Sequence, residues 1–546
     1  MTDLLSLPSK IYNRARREQL RVRENRAITR TAARVTTEIP QPDQTASVIF
    51  FRASSGPNDF SLNSGFHILT SWALRLQKMP VIHFACQSGM SHCVLGTTRL
   101  KPATPPPCKT CVAHSRALYT GADVHWFAYQ GDPELADRLS SLSISELLAY
   151  EYMHQLPDIP SPAPLGAFVA PGLRWILRRH NLFDDDGTRY LCREFMLSAW
   201  NIAREFSALL EQTHPRAVVV FNGQFFPEAT ARWLARSHGI PSYAHEVGLL
   251  PFSAFFTAGE PTAYPIDIPK DIELSKGQNA RLDAYLEKRY QGNFSMAGIK
   301  FWPEMKGLDE SLIGRIAHFK QVVPVFTNVV FDTSQPHANT LFSDMFAWLD
   351  EVLAIAKRHP ETLFVIRAHP DESRSGKESL ETVAGWVGSR SADALPNMVF
   401  IPPEERLSSY ELIQRSKFVM IYNSTIGLEA AIMGVPVLSG GRARFTHYPI
   451  VFFPSSLEEF RGQVDEFLKA DEVAVPPEFH RNARKFLYYQ LFRTSLPFER
   501  YLTTSYHPSF THFKDFIVSD LLPENSPTIK AILDGALHNG DFLLRE

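Results

Sequence analysis

The chain has 546 residues, of which 44% are hydrophobic and 21% are charged, and this balance excludes a wholly disordered or fibrous protein. Its 56 Lys and Arg residues against 58 Asp and Glu residues give a net charge of -2, which provides no electrostatic reason to expect nucleic-acid binding. Five cysteines are too few for a disulfide framework, and no secretory leader or membrane-spanning segment is recognisable. We therefore expect a cytoplasmic protein.

Residues 1–45 are predicted to form a basic N-terminal arm, because arginines dominate this stretch and apolar residues are sparse. Pro40 and Pro42 separate the arm from the rest of the chain. Two interpretations stay open. The arm is either a solvated helix, or a peripheral membrane contact that docks on anionic lipid or on an acidic partner.

From residue 46 the sequence alternates short apolar runs with amphipathic helical patterns, which is typical of parallel sheets covered on both faces. We predict an α/β fold with two doubly wound, Rossmann-like domains that face each other across a cleft. The predicted segments are the arm at 1–45, a first domain at 46–264, a helical connector at 265–320, a second domain at 321–470 and a helical C-terminal segment at 471–546.

Three loops of the second domain carry polar side chains directly after predicted strands. Asn328 and Asp332 follow the first strand, Arg367 and His369 follow the second, and residues 423–429 follow the third. Ligands of open α/β sheets bind at the carboxyl ends of the strands. We therefore expect all three loops to line one binding site.

The third loop has the features of a phosphate site. Ser424 or Thr425 can cap the following helix, whose amino end offers free N–H groups and a positive dipole to an anion. Gly427 would allow close approach of a ligand to the backbone, and Glu429 would meet the hydroxyls of an attached ribose. The alternative is a simple capped helix with a solvent-facing Glu429.

Arg367 and His369 can both donate hydrogen bonds to a phosphate, and His369 can also transfer a proton near neutral pH. The sequence has neither G-x-G-x-x-G nor G-x-x-x-x-G-K-[ST], which disfavours dinucleotide oxidoreductases and P-loop NTPases. Residues 184–186 are three consecutive aspartates that resemble a metal-binding Asp-x-Asp pair. They precede Gly187 and are predicted to be a turn.

The segments RAHPDE at 367–372 and YNSTIGLEAAIMGVPVLSGG at 422–441 resemble those of the capsule polysaccharide biosynthesis glycosyltransferases. These are two-domain GT-B enzymes that include the Kdo-transferase type. The pairing of a His-Pro motif with a Ser/Thr motif is also similar to that of sialyl- and polysialyltransferases. The resemblance implies metal-independent transfer of a sugar from a nucleotide-sugar donor, with His369, Ser424 and Thr425 at the donor phosphate.

The resemblance also implies ribose binding by Glu429 and a surface polysaccharide or glycolipid acceptor in the first domain. Asn328 and Asp332 are expected at the base or the donor sugar. At 367–368 and 327–328 the chain has Arg-Ala and Thr-Asn where Kdo-transferase-like proteins have Lys-Pro and Gly-Gln, so the donor stays open.

Sugar transfer by an inverting route needs a carboxylate or histidine that takes the proton of the acceptor hydroxyl. Glu246 and Asp59 are the leading candidates, with His369 as a further catalytic group at the leaving phosphate. Three alternatives stay open for the whole protein: a UDP-sugar 2-epimerase, a glycerophosphotransferase similar to those of teichoic-acid synthesis, and a non-catalytic scaffold that binds nucleotide sugars.

Four of the five cysteines lie close together in the sequence, at Cys86, Cys93, Cys108 and Cys111. Four thiolates suit a tetrahedral structural zinc site, and the Cys108-x2-Cys111 half has the spacing of a zinc knuckle. The alternative is a group of reduced, buried cysteines. We expect no cofactor for catalysis itself.

Overall fold

The computed structural model describes residues 7–53, 56, 60–154, 156, 159–292, 305–504 and 511–546. These residues divide into two compact units. Unit 1 holds the chain up to Ile176, Phe183–Pro261 and Thr494–Glu546, and unit 2 holds Leu177–Leu182 and Thr262–Arg493.

The first part of the chain supplies most of unit 1. Its helices and strands are α1 (Leu7–Glu38), β1 (Val48–Arg52), α2 (Leu62–Leu76), β2 (Val81–Cys86), α3 (Cys108–Leu118), β3 (Asp123–Phe127), α4 (Pro133–Ser140), α5 (Ile144–Leu148), α6 (Leu165–Leu177), α7 (Asp186–Thr213), β4 (Ala217–Phe221), α8 (Phe226–Ser237), β5 (Ser242–Val247) and β6 (Ser253–Thr257).

Unit 2 follows the same alternation of helix and strand. Its elements are α9 (Lys276–Tyr290), α10 (Glu310–Ile316), β7 (Gln321–Phe326), α11 (Gln335–Ala338), α12 (Met345–Arg358), β8 (Thr362–Arg367), α13 (Val383–Arg390), β9 (Met398–Ile401), α14 (Ser409–Gln414), β10 (Val419–Ile421), α15 (Ile426–Ile432), β11 (Val437–Ser439), α16 (Leu457–Lys469) and α17 (Pro477–Tyr488). The chain then adds β12 (Leu496–Pro497), β13 (Leu502–Thr504), β14 (Thr511–Phe513) and α18 (Pro527–His538) to unit 1.

Each unit is built on one main sheet, so the predicted α/β class is confirmed. The sheet of unit 1 has the order β12-β6-β5-β4-β1-β2-β3. Strands β1 to β5 are parallel to one another, β6 pairs antiparallel with β5, and β12 pairs antiparallel with β6. The sheet of unit 2 has the order β11-β10-β7-β8-β9 and is parallel throughout. Its strands are almost wholly buried, as a parallel sheet with covered faces requires.

The division of the chain differs from the predicted boundaries at both ends. Residues 494–546, predicted as part of a separate helical segment, return to unit 1, where β12 pairs with β6. The predicted arm at 1–45 contains α1, and the second half of this helix is not solvated on all sides. Ile28, Ala32 and Val35 are buried in the core of unit 1, while the intervening Arg30 stays exposed.

The consecutive aspartates at 184–186, predicted to be a turn, lead into helix α7. Asp185 is the N-cap of α7, and its carboxylate accepts a hydrogen bond from the Thr188 N–H at 2.8 Å. Asp184 accepts a hydrogen bond from the Ile144 N–H at 2.9 Å.

None of the described helices has both the length and the apolar composition needed to span a bilayer.

Three of the buried histidines of unit 1, His67, His83 and His245, lie close together in its core. His67 Nδ1 and His245 Nε2 share a hydrogen bond of 3.2 Å. His83 stacks on Tyr119 at 4.4 Å, and neither of its ring nitrogens has a hydrogen-bond partner among the described residues. Burial lowers the pKa values of His83 and His245 from 6.5 to about 3. All three rings are therefore neutral in the folded protein at neutral pH.

We predict that His83→Phe weakens the acid sensitivity of unit 1. An unfolded chain protonates this histidine below its pKa of 6.5, whereas the folded protein does not, so stability falls as the pH falls from 6.5 toward 3. At pH 5 this loss is about 2 kcal/mol for one histidine, whatever the folded pKa below that pH. Urea unfolding at pH 7 and pH 5 measures the difference.

The exposed His538 provides the control, because His538→Gln should leave the difference between the two pH values unchanged. If His83→Phe shows the same loss of stability between pH 7 and pH 5 as the wild type, the His83 ring is protonated in the folded protein at pH 5.

Candidate functional site

An open cavity lies in unit 2 at the carboxyl ends of β7, β8 and β10. Side chains from all three predicted loops meet there, together with residues of α9 and α14. The lining residues are Arg289, Met305, Phe326, Thr327, Arg367, Ala368, His369, Pro370, Leu407, Ser409, Tyr410, Ser424, Thr425, Ile426 and Glu429.

His369 follows β8 and is held by the turn that it begins. Its Nδ1 accepts a hydrogen bond from the Asp371 N–H at 3.1 Å. Burial lowers the pKa of His369 below 6.5 and outweighs the nearby carboxylates of Asp371 and Asp332. A neutral imidazole that accepts at Nδ1 carries its proton on Nε2. His369 can therefore act as a neutral hydrogen-bond donor.

Arg367, the last residue of β8, brings a fixed positive charge to the cavity wall. Its Nη1 donates to the Pro402 carbonyl at 2.8 Å and its Nη2 donates to the Glu405 carbonyl. Burial lowers its pKa to about 10, so the guanidinium stays charged at neutral pH. Because two backbone carbonyls fix its orientation, the charge is held in one place at the cavity wall.

Helix α15 starts at the cavity, but its first turn differs from the prediction. Thr425 occupies the N-cap position, yet its side chain makes no capping hydrogen bond. The backbone of Thr425 is helical, with φ of -65° and ψ of -17°, whereas side-chain capping needs an extended N-cap residue. Ser424 and Thr425 line the cavity instead of acting as a predicted cap.

Glu429 is buried and its carboxylate is part of a network with two other helices. Oε1 accepts from Arg289 Nη2 of α9 at 2.6 Å, and Oε2 accepts from the Tyr410 hydroxyl of α14. The carboxylate in turn raises the pKa of Arg289 and, together with burial, that of Tyr410. A solvent-facing Glu429 is therefore wrong, and its contact with a ribose stays a prediction.

Gly427 has a structural explanation that the sequence did not suggest. A Cβ atom there would lie 2.5 Å from Ile421 Cδ1 of β10 and 3.3 Å from Val437 Cγ1 of β11. The glycine therefore allows α15 to pack closely on its own sheet. Gly427 is not among the residues that line the cavity.

Asn328 and Asp332 are not among the residues that line the cavity, and their side chains organise the loop after β7. Asn328 Nδ2 donates to Asn423 Oδ1 at 2.7 Å, which joins this loop to the loop after β10. Asp332 Oδ1 accepts a hydrogen bond from the Ser334 N–H at 2.9 Å. Their contact with a base or sugar stays a prediction.

Two glutamates of unit 2 accept hydrogen bonds from backbone N–H groups. Ser408 caps α14, and three residues later the Oε2 atom of Glu411 accepts from the Leu308 N–H at 2.9 Å. Glu372 is buried, and its carboxylate accepts from the Val383 N–H at the start of α13. Burial raises its pKa to about 7.

The candidate bases belong to unit 1. Glu246 lies in β5 and is half-buried, where its Oε2 accepts from Asn222 Nδ2 at 2.7 Å and its Oε1 accepts from the Val247 N–H at 2.8 Å. Asp59 lies outside the described residues. Both catalytic assignments stay predictions.

Comparison with known proteins supports the family resemblance. Residues 310–452, which span β7 to β11, match the family model described as capsule polysaccharide biosynthesis protein. The predicted resemblance is therefore confirmed over the segment that supplies most of the cavity. The curated Protein FixF of Sinorhizobium fredii (strain NBRC 101917 / NGR234) is 31% identical over 130 residues, which are 22% of this chain. The match spans only 27% of that relative's length.

Two solved structures are similar at low identity. Thermosulfurimonas dismutans KpsC, a beta Kdo 2,4 transferase, is 12% identical and has a TM-score of 0.34, and the match covers 52% of this chain and 80% of that one. The UDP-GlcNAc 2-epimerase from Neisseria meningitidis bound to UDP-GlcNAc is 14% identical and has a TM-score of 0.26, with 81% and 97% covered.

We predict that Glu429→Gln lowers the free energy of unfolding of unit 2 by about 3–5 kcal/mol, because it leaves the buried Arg289 guanidinium without a counter-charge. Chemical denaturation followed by tryptophan fluorescence measures the loss. Asp283→Asn is a matched control on the same helix α9: this exposed carboxylate pairs with Arg484 at 2.7 Å, and its loss should cost about 1 kcal/mol or less. Equal effects would show that the buried pair does not stabilise the unit.

Proposed function

We propose that the protein is a metal-independent glycosyltransferase of GT-B type, which moves a sugar from a nucleotide-sugar donor to a surface polysaccharide or glycolipid acceptor. One observation carries the proposal. The cavity of unit 2 collects Arg367, His369, Ser424 and Thr425 at the carboxyl edge of a parallel sheet, within the segment that matches the capsule biosynthesis model.

The chemistry of these side chains fits a leaving nucleotide phosphate. Negative charge grows on that phosphate as the bond to the sugar breaks, and preorganised donors stabilise it most effectively. Arg367 would supply a fixed positive charge, His369 would donate from Nε2, and the hydroxyls of Ser424 and Thr425 would donate to phosphate oxygens. Glu429 would receive the ribose hydroxyls next to them.

The acceptor and the catalytic base are assigned to unit 1. Glu246 is proposed to take the proton of the acceptor hydroxyl, with Asp59 as the second candidate. The exposed Arg23, Arg26 and Arg30 of α1 support contact with an anionic membrane surface that carries a glycolipid acceptor.

Nucleotide binding is tested by thermal shift with CMP, CDP, UDP and GDP on the wild type and on His369→Ala. We predict that one nucleotide stabilises the wild type and that His369→Ala loses this stabilisation. A ligand at 100 times its dissociation constant stabilises the folded state by about 2.7 kcal/mol, which is a measurable shift.

His318→Ala is the matched control, because His318 is exposed and precedes β7 at the opposite edge of the same sheet. It should keep the full stabilisation. If none of the four nucleotides stabilises the wild type, the proposed donor site is wrong.

We predict that Glu246→Gln abolishes sugar transfer while the nucleotide-dependent thermal shift remains, because the amide cannot take a proton but can keep the hydrogen bond from Asn222. Turnover is measured as release of the nucleotide product in the presence of acceptor. Unchanged turnover would remove Glu246 from the mechanism. Donor binding without turnover in the wild type, with acceptor present, would instead indicate a non-catalytic scaffold.

A further inference from the structure

A long irregular loop in unit 1 contains or borders all four clustered cysteines. Cys86 is the last residue of β2 and Cys108 is the first residue of α3, and residues 87–107 between them form neither helix nor strand. Loops longer than about 12–15 residues without secondary structure are uncommon in compact domains. Met90 and Val94 are nevertheless buried, so this loop is packed against the unit. Some interaction other than a helix or strand must hold it there.

The four thiols lie around one small cavity. Cys86, Cys93, Cys108 and Cys111 line this cavity together with mainly apolar neighbours such as Pro106. No disulfide joins any of the five cysteines. The cavity therefore brings the two halves of the sequence pattern together in the folded chain.

Cys86 and Cys93 share a backbone arrangement that favours metal-bound thiolates. A glycine stands three residues after each of them, and the Gly89 N–H donates to Cys86 Sγ at 3.1 Å. Near Cys93, a Cβ atom on Gly96 would lie 2.9 Å from the sulfur, so only glycine permits this approach of backbone to thiol. Hydrogen bonds from N–H groups stabilise the negative charge of a thiolate.

The other two cysteines lie in the first turn of α3. Cys108 and Cys111 are three residues apart and therefore share one face of the helix, at the end where the helix dipole favours thiolates. The neighbouring histidines are engaged elsewhere. His83 stacks on Tyr119, and His92 Nδ1 lies 3.5 Å from Glu194 Oε2.

We propose that these four cysteines bind one structural zinc ion, which fastens the loop 87–107 between β2 and the start of α3. Among the described residues, no three ligating side chains already surround a single point. Metal binding therefore requires the four sulfur atoms to move closer together than they lie in this structure. Four thiolate ligands leave no open coordination position, so the ion has a structural and not a catalytic role.

Metal analysis of the full-length protein, purified without chelator, tests the proposal. We expect about one zinc per chain in the wild type. The zinc content per chain should fall at least tenfold in Cys86→Ser and in Cys111→Ser. Cys192→Ser is the control, because this buried cysteine of α7 is remote from the cluster in sequence and does not line the cavity; it should keep the zinc. Full zinc content in both cluster variants would overturn the assignment.

A second measurement avoids variants that fail to fold. Wild-type protein is stripped with a chelator and titrated with Co²⁺, which gives intense thiolate charge-transfer bands and visible bands in a tetrahedral sulfur site. We expect saturation at one Co²⁺ per chain and reversal by Zn²⁺. Absence of these bands together with zinc-free native protein would overturn the proposal. Iron with acid-labile sulfide in the native protein would also overturn it, in favour of an iron–sulfur cluster.

Discussion

The ion pair between Arg289 and Glu429 is the interaction on which the candidate site of unit 2 depends. Both side chains are buried, and the Tyr410 hydroxyl completes the hydrogen bonding of the carboxylate. The pair joins α9 to α15, and Tyr410 joins α14 to the same point. Because α15 starts at the cavity, fixing Glu429 also fixes the position of Ser424 and Thr425. The polar network thus sets the geometry that a phosphate would meet.

Local patterns were sufficient to predict the α/β class of the two units. Apolar runs such as Ala217–Phe221 and Leu363–Arg367 are strands in the structure almost residue for residue, because buried parallel strands need continuous apolar sequence. The return of residues 494–546 to unit 1 was not predictable in this way. It depends on β12, a strand of only two residues at Leu496–Pro497, whose pairing with β6 spans more than 200 residues of sequence.

The candidate site shows the same division. The position of His369 and Thr425 at the cavity was predictable, since polar residues after apolar strands meet at one edge of a sheet. Arg289 was missed because it lies 140 residues from Glu429 in an otherwise polar helix, and no local signal marks its pairing. The burial of Glu372 and the packing of Gly427 were missed for a related reason. Burial of a carboxylate and close packing of a helix on its sheet are tertiary properties, which spacing alone does not reveal.

The proposed function requires a nucleotide phosphate to bind at the carboxyl edge of the sheet in unit 2. A crystal structure of the protein with the most strongly stabilising nucleotide tests this requirement. We expect phosphate oxygens within hydrogen-bond distance of His369 Nε2 and of the Thr425 hydroxyl, with the ribose beside Glu429. A nucleotide bound elsewhere in the chain, with this cavity filled only by water, would contradict it.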